Sequence, residues 1–195
     1  MAQTDSKISA DQAIKIWEKA VDTQMHFNEM SVKSRQLGLA FVAAALGIAV
    51  VLLSQGKGFS LPVPIGEKQW QLHVSVLVTL AAAFAMLAVR NLDVNVYHKM
   101  LRGAVTFGED FEQLHILPIL HLNKGMTQAI SHFSRKTDAS VDKATSPYVY
   151  QGTSFVTALD KIESFYRNVV IMLCFVAAVI FIVTNISIAS PIKTL

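Results

Sequence analysis

Three long blocks without a single Lys, Arg, Asp or Glu constrain what this chain can fold into. The blocks run from 36 to 56, from 69 to 89 and from 168 to 190. Each supplies about 20 residues, which as a helix rising about 1.5 Å per residue crosses a hydrocarbon core of about 30 Å. The blocks therefore predict an all-α membrane protein with three transmembrane helices.

The distribution of basic residues predicts how these helices are oriented. Lys and Arg are frequent before the first block and between the second and third, and sparse elsewhere. Cytoplasmic segments are enriched in Lys and Arg, so the N-terminus and the middle region are expected in the cytoplasm. The predicted organisation is a cytoplasmic amphipathic N-terminal helix over 1–35, an Ala-rich two-span membrane hairpin over 36–90, a cytoplasmic helical region over 91–167, a third transmembrane helix over 168–190 and an external tail over 191–195.

The first two spans are predicted to continue as long helices into the cytoplasm. Ser9 and Gln12 have the spacing of a capping box, and apolar residues follow them at helical intervals without a break. The second span continues in the same way past Arg90. Just beyond it, Asp93 lies close in sequence to Tyr97 and Lys99, so we expect it to pair on the protein surface.

Small residues dominate the first two spans, whereas the third is made of large ones. Helices associate in lipid by close packing, which small residues permit, so the third span is expected to face lipid. Three helices offer too little surface to cover two Ala-rich faces, which favours a symmetric homo-oligomer over a packed monomer. The positions predicted for helix packing are Ala43, Gly47, Ala81 and Ala85.

Mild polar residues are the only candidates for a pore lining. Ser75 and Thr79 lie in the second span, where they could line a pore or bond back to a helix backbone, the commoner fate of such side chains. No ionisable residue lies deep within any of the three blocks, which argues against a transporter coupled to ions or protons. Trp70 stands where an interfacial aromatic anchor is expected.

The sequence contains no motif for catalysis or metal binding. Its six His residues lack metal-ligand spacing, and there is no P-loop, dinucleotide glycine pattern or nucleophile elbow. We expect no enzymatic activity, no cofactor and no metal site. Basic residues of the middle region could bind phosphate groups, although acidic residues share that region and a mixed, solvated surface is the alternative. The candidates are Lys99 and Arg102, which are preferred, with Lys124, Arg135 and Lys136.

A resemblance to a known family lies in two segments that border the first two spans. They read IWEKAVDTQMHFNEMSVKSRQLGL, before the first span, and LDVNVYHKMLRGAVTFGEDFE, directly after the second. This arrangement, over 14–113, resembles small membrane effectors of bacterial antiphage defence, the SLATT-like and Hailong-type proteins. The third span departs from their two-span layout.

The resemblance implies an oligomeric pore in the bacterial inner membrane. Its gate would respond from the cytoplasm to a nucleotide or single-stranded oligonucleotide made by a partner nucleotidyltransferase. The alternative is a non-catalytic membrane adaptor or accessory subunit, which would anchor a soluble partner through its cytoplasmic helices. A membrane enzyme acting on lipid or peptide is disfavoured because no catalytic residues are present.

Overall fold

The computed structural model describes residues 8–66, 68–136, 138–142, 149–153 and 157–189, which are mostly helical. The helices are α1 (Ala10–Ser54), α2 (Val74–Leu92), α3 (His98–Phe111), α4 (Leu117–Leu120), α5 (Met126–Arg135) and α6 (Ala158–Ala189). Two five-residue π-helical segments, Asp93–Tyr97 and Glu112–Ile116, join α2 to α3 and α3 to α4, and a 3-10 turn, Gly56–Phe59, follows α1. The strands are β1 (Ser60–Ile65), β2 (Lys68–His73), β3 (Ser140–Asp142) and β4 (Val149–Gln151). The tail predicted over 191–195 lies outside the described residues.

The chain divides into two compact units. We call the described residues of Lys33–Asp93 and Glu163–Leu195 the span unit, because it holds most of the three charge-free blocks. The described residues of Met1–Val32 and Val94–Ile162 form the second unit, which we call the charged unit. Helix α1 begins in the charged unit and ends in the span unit.

Three helices of the described chain are long and apolar enough to span a membrane, the same number as the sequence predicts. They are Ala10–Ser54, the joined helical stretch Val74–Leu120, and Ala158–Ile186. Helix α1 has 45 residues, more than twice the number that a hydrocarbon core of about 30 Å requires. Its start is the predicted capping box, in which the backbone N–H of Ser9 donates to Gln12 Oε1 (3.1 Å) and that of Gln12 donates to Ser9 Oγ (3.2 Å).

Small residues let α1 and α2 approach closely within the span unit. A Cβ added at Gly38 would lie 3.0 Å from Met86 Sδ and 3.3 Å from a Val89 methyl, so the α1 backbone is close to α2 there. Further residues buried in this contact region are Val42, Ala45, Ala49, Ala82 and Ala83.

Helix α6, whose sequence predicts a lipid-facing span, is the least buried of the three candidate spans in the described chain. Tyr166, Leu173 and Ala177 are buried on one side of it. Its other sides do carry exposed large residues, among them Phe175 and Ile182. The large residues of the third span therefore serve both packing within the chain and an exposed apolar surface.

An antiparallel hairpin, β1–β2, occupies the connection between α1 and α2, where the sequence analysis expected no strands. Pro62 lies opposite Gln71, whose N–H points away from β1 and donates to Asn185 Oδ1 of α6 (2.9 Å). Pro62 therefore does not need to supply a ladder hydrogen bond. Asn185 Nδ2 donates in return to Gln71 O (3.0 Å), and Trp70 stacks on Phe181 at 5.6 Å between ring centroids. The side-chain amide of Asn185 thus satisfies the outward-facing N–H and C=O of Gln71, as a neighbouring strand would.

The charged unit is built around the N-terminal half of α1, α3 and α5. Ala13, Phe111 and Ile116 form a buried apolar cluster against which Trp17 packs. Helix α4 ends at His121, whose left-handed backbone (φ 53°) closes it before the chain turns toward α5. The short β3–β4 pair follows α5.

Candidate functional site

A cavity of about 570 Å³ in the charged unit brings together three of the five candidate phosphate ligands. Lys124 lies on the turn before α5, and Arg135 and Lys136 lie at the end of that helix, so the three line the same space. Glu109 and Asp110 of α3 line it as well. With histidine neutral, the ionised groups around the cavity carry a formal charge of +1. This small positive charge is compatible with binding of a phosphate group.

Glu112 fixes the start of α5 beside this cavity. It is fully buried, and its two carboxylate oxygens accept from Thr127 N (3.0 Å each), from Thr127 Oγ1 (2.8 Å) and from Gln128 N (3.4 Å). These N–H groups belong to the first turn of α5, so the carboxylate caps the helix and faces the positive end of its dipole. Trp17 Nε1 of α1 donates to the same carboxylate at 2.9 Å.

The far end of α5 is held by the backbone of β4 and the residue after it. His132 Nε2 lies 2.9 Å from Gln151 O, and the Lys136 ammonium donates to Gly152 O. Gly152 has a positive φ of 137°, which favours glycine, and the carbonyl that it presents is the one that Lys136 reaches. The start and the end of α5 are therefore both anchored.

Lys99 and Arg102, which the sequence analysis preferred, lie elsewhere on the charged unit. Both side chains are exposed on α3, and neither lines the cavity that holds Lys124 and Arg135. The structure therefore separates the five candidates into a group of three and a pair.

A buried ion cluster lies in the span unit and joins all three of its long helices. Asp93, fully buried at the end of α2, accepts at Oδ2 from Arg35 Nε of α1 (2.7 Å) and from the Tyr166 hydroxyl of α6 (2.9 Å). Arg35 Nη2 lies 3.5 Å from the other carboxylate oxygen. The surface pairing expected for Asp93 is wrong, because its partners come from α1 and α6. Nearby, Arg90 pairs with Glu163 at 2.8 Å in a half-exposed position.

Each of the two buried carboxylates is the first residue of a π-helical segment. Asp93 begins one and Glu112 begins the other. A π-helical turn is wider than an α-helical turn and changes which residues share a face, and such segments are frequent at functional positions. Neither residue is predicted from the sequence to belong to a site.

The residues predicted for oligomer contacts are mostly unused by packing within the chain. Ala43, Gly47 and Ala81 are exposed, and Ala85 is half-buried. Among the residues that the structure describes, a Cβ built on Gly47 would have no neighbouring atom within 4 Å. Their surfaces are therefore open on a single chain.

Ser75 and Thr79, which are candidates for a pore lining, are fully buried in the single chain, and their hydroxyls bond to helix backbones. Ser75 Oγ donates to Ala49 O of α1 (2.9 Å) and Thr79 Oγ1 donates to Ser75 O (2.8 Å). His73 caps α2, since its Nδ1 accepts from Ser75 N at 3.2 Å. These bonds tie the end of α1 to the start of α2.

Comparison with protein-family models, with curated proteins and with solved structures gave no match. Within the described residues, no three His, Cys, Asp or Glu side chains come together as metal ligands would.

Proposed function

We propose that this protein is an oligomeric membrane channel that acts as an effector of bacterial antiphage defence. It would lie in the inner membrane with its N-terminus in the cytoplasm and its C-terminus outside. Its gate would respond to a cytoplasmic nucleotide or single-stranded oligonucleotide from a partner nucleotidyltransferase. The resemblance of 14–113 to SLATT-like and Hailong-type effectors supports the biological setting.

The observation that carries the proposal is the grouping of Lys124, Arg135 and Lys136 around one cavity. The volume of about 570 Å³ lies in the range of small-molecule sites, and Arg and Lys are the side chains that bind phosphate oxygens most strongly. Ligand binding there could act on the spans because α1 is one unbroken helix, Ala10–Ser54, shared by both units. Oligomer formation is supported by the open small-residue positions, which include Gly47.

The oligomer is tested by filling the open position at Gly47. We expect Gly47→Leu to overfill a close contact between copies and to lower the association constant about tenfold, in line with the cost of overpacking. Ala178→Leu is the matched control, because Ala178 is exposed on α6 among large residues. The measurement is the mass distribution in mild detergent by light scattering after size exclusion. Equal masses for the two variants would contradict this contact.

The ligand site is tested by removing two charges at a time. We expect Lys124→Ala with Arg135→Ala to weaken binding of a short single-stranded oligonucleotide or a cyclic nucleotide at least tenfold, since each charge-assisted hydrogen bond contributes about 1.5–3 kcal/mol. Lys99→Ala with Arg102→Ala removes the same charge from α3 and should change affinity less than threefold. Fluorescence anisotropy gives the affinities, and ion flux in liposomes gives the response of the channel. A larger loss in the α3 pair would move the site to Lys99 and Arg102.

A membrane adaptor remains the second candidate, and an apolar groove in the charged unit favours it. The groove has a volume of about 520 Å³ and is lined by α1 and α3 residues, among them Ile16, Phe27, Met100 and Phe107. Exposed apolar surface of this kind marks interaction sites in soluble regions. Absence of both flux and ligand binding in the experiments above would favour the adaptor over the channel.

A further inference from the structure

A second cleft, of about 290 Å³, lies in the span unit between α2 and α6. Its position in the sequence is informative, because Arg90 directly follows the second charge-free block and Arg167 directly precedes the third. Both arginines line the cleft together with apolar residues from inside those blocks. The cleft therefore changes from charged to apolar at the predicted edge of the hydrocarbon core.

The charged part of the cleft retains donors for an anion. Arg90 uses Nη2 to bind Glu163 at 2.8 Å, which leaves most of the five N–H groups of its guanidinium for other acceptors. Arg167 is exposed, and its Nη2 reaches Ser164 Oγ at only 3.4 Å. With Glu163 included, the lining carries a formal charge of +1. The Tyr166 hydroxyl already donates its hydrogen to Asp93. Tyr166 therefore lines the cleft without offering a hydrogen-bond donor to a ligand.

The other part of the cleft is aliphatic and open to the surroundings. Leu87 of α2 and Ile171 of α6 line it, and they are 43% and 59% exposed. Val170 completes this wall. An acyl chain could pack against these aliphatic side chains and cover their apolar surface. A water-soluble phosphate compound has no apolar part that could make this contact.

We propose that this cleft binds an anionic phospholipid. Its phosphate lies between Arg90 and Arg167, and one acyl chain follows Leu87, Val170 and Ile171. Basic pockets between transmembrane helices on the cytoplasmic side bind anionic headgroups for the same electrostatic reason. The site lies wholly within the span unit, and it needs neither the oligomer nor the nucleotide ligand of the proposed channel.

Native mass spectrometry of the full chain in mild detergent tests the site. Phosphatidylglycerol, phosphatidylcholine of the same chain length, and soluble glycerol phosphate are added separately. We expect one phosphatidylglycerol per chain to be retained by the unaltered protein, and the apparent affinity to fall about tenfold in Arg167→Ala. Arg102→Ala is the matched control, because it removes one exposed arginine from α3, outside the cleft. Circular dichroism verifies that both variants are folded.

Three results would overturn the assignment. Equal retention by the unaltered protein and Arg167→Ala would show that the cleft is not the site. An equal loss in Arg102→Ala would indicate attraction by overall charge. Glycerol phosphate or phosphatidylcholine bound as tightly as phosphatidylglycerol would exclude specific binding of an anionic lipid. Each of these can occur with flux and oligonucleotide binding intact, so this inference and the proposed channel fail independently.

Discussion

Replacing Asp93 by Ala is expected to lower the free energy of unfolding by about 3 kcal/mol, the low end of the cost of removing one partner from a buried ion pair, because the Arg35 side chain is 29% exposed. Arg35 would lose its carboxylate, and the buried Tyr166 hydroxyl would lose its acceptor. Because these partners lie on α1 and α6, one substitution weakens the association of all three long helices of the span unit. Unfolding of the detergent-solubilised chain, followed by circular dichroism against denaturant, gives the measurement.

Three further variants separate the charge from the packing. Tyr166→Phe removes a single hydrogen bond and should cost about 1 kcal/mol. Arg35→Met combined with Asp93→Leu removes both charges, and it should recover much of the stability lost in Asp93→Ala. Glu163→Ala breaks the half-exposed pair with Arg90 and should cost no more than about 1 kcal/mol. If Glu163→Ala and Asp93→Ala cost the same, the buried cluster has no special part in holding the helices.

The three spans and the start of α1 could be predicted because each depends on local sequence. Length without charge is sufficient to predict a span, and Ser9 with Gln12 is sufficient to predict a capping box. The environment of Asp93 depends on contacts between distant helices. Its nearest sequence neighbours suggested a surface pair, but the π-helical segment that begins at Asp93 alters the α-helical spacing on which that inference relied. One sequence signal was available: Arg35 directly precedes the first charge-free block and Asp93 lies four residues after the end of the second, where an unpaired charge is costly.

The candidate phosphate ligands show the same limit. Lys124 is 11 residues from Arg135, and only the turn before α5 together with the length of that helix brings both to one cavity. Lys99 and Arg102 share a helical face by local spacing alone, which made them the preferred candidates from sequence. The strand β1 could not be predicted because Pro62 and Pro64 are poor strand residues. The hairpin is also supported by hydrogen bonds from Asn185 of α6, which is distant in sequence.

The largest effect in the charged unit is expected at the contact between Gly125 and Glu112. A Cβ at Gly125 would overlap the Glu112 carboxylate, so Gly125→Ala must displace the group that caps α5. Glu112→Ala would leave the buried donors of Thr127 and the half-buried indole N–H of Trp17 without their acceptor, at about 1–3 kcal/mol for each. We expect either substitution alone to lower the free energy of unfolding by about 3 kcal/mol or more.

The double variant and a matched glycine distinguish this contact from general damage. Because Gly125→Ala acts by displacing Glu112, adding it to Glu112→Ala should cost much less than it does alone, and the double-mutant cycle should be strongly non-additive. Gly103→Ala, in the middle of α3, is the control, since its new methyl group would meet no atom of the described chain within 4 Å. It should raise stability by about 0.5–1 kcal/mol, the helix preference of Ala over Gly. Denaturant unfolding of the four variants gives both results. Additive losses at Gly125 and Glu112 would contradict this contact. They would mean that the turn before α5 needs a glycine for its backbone, independently of the Glu112 carboxylate.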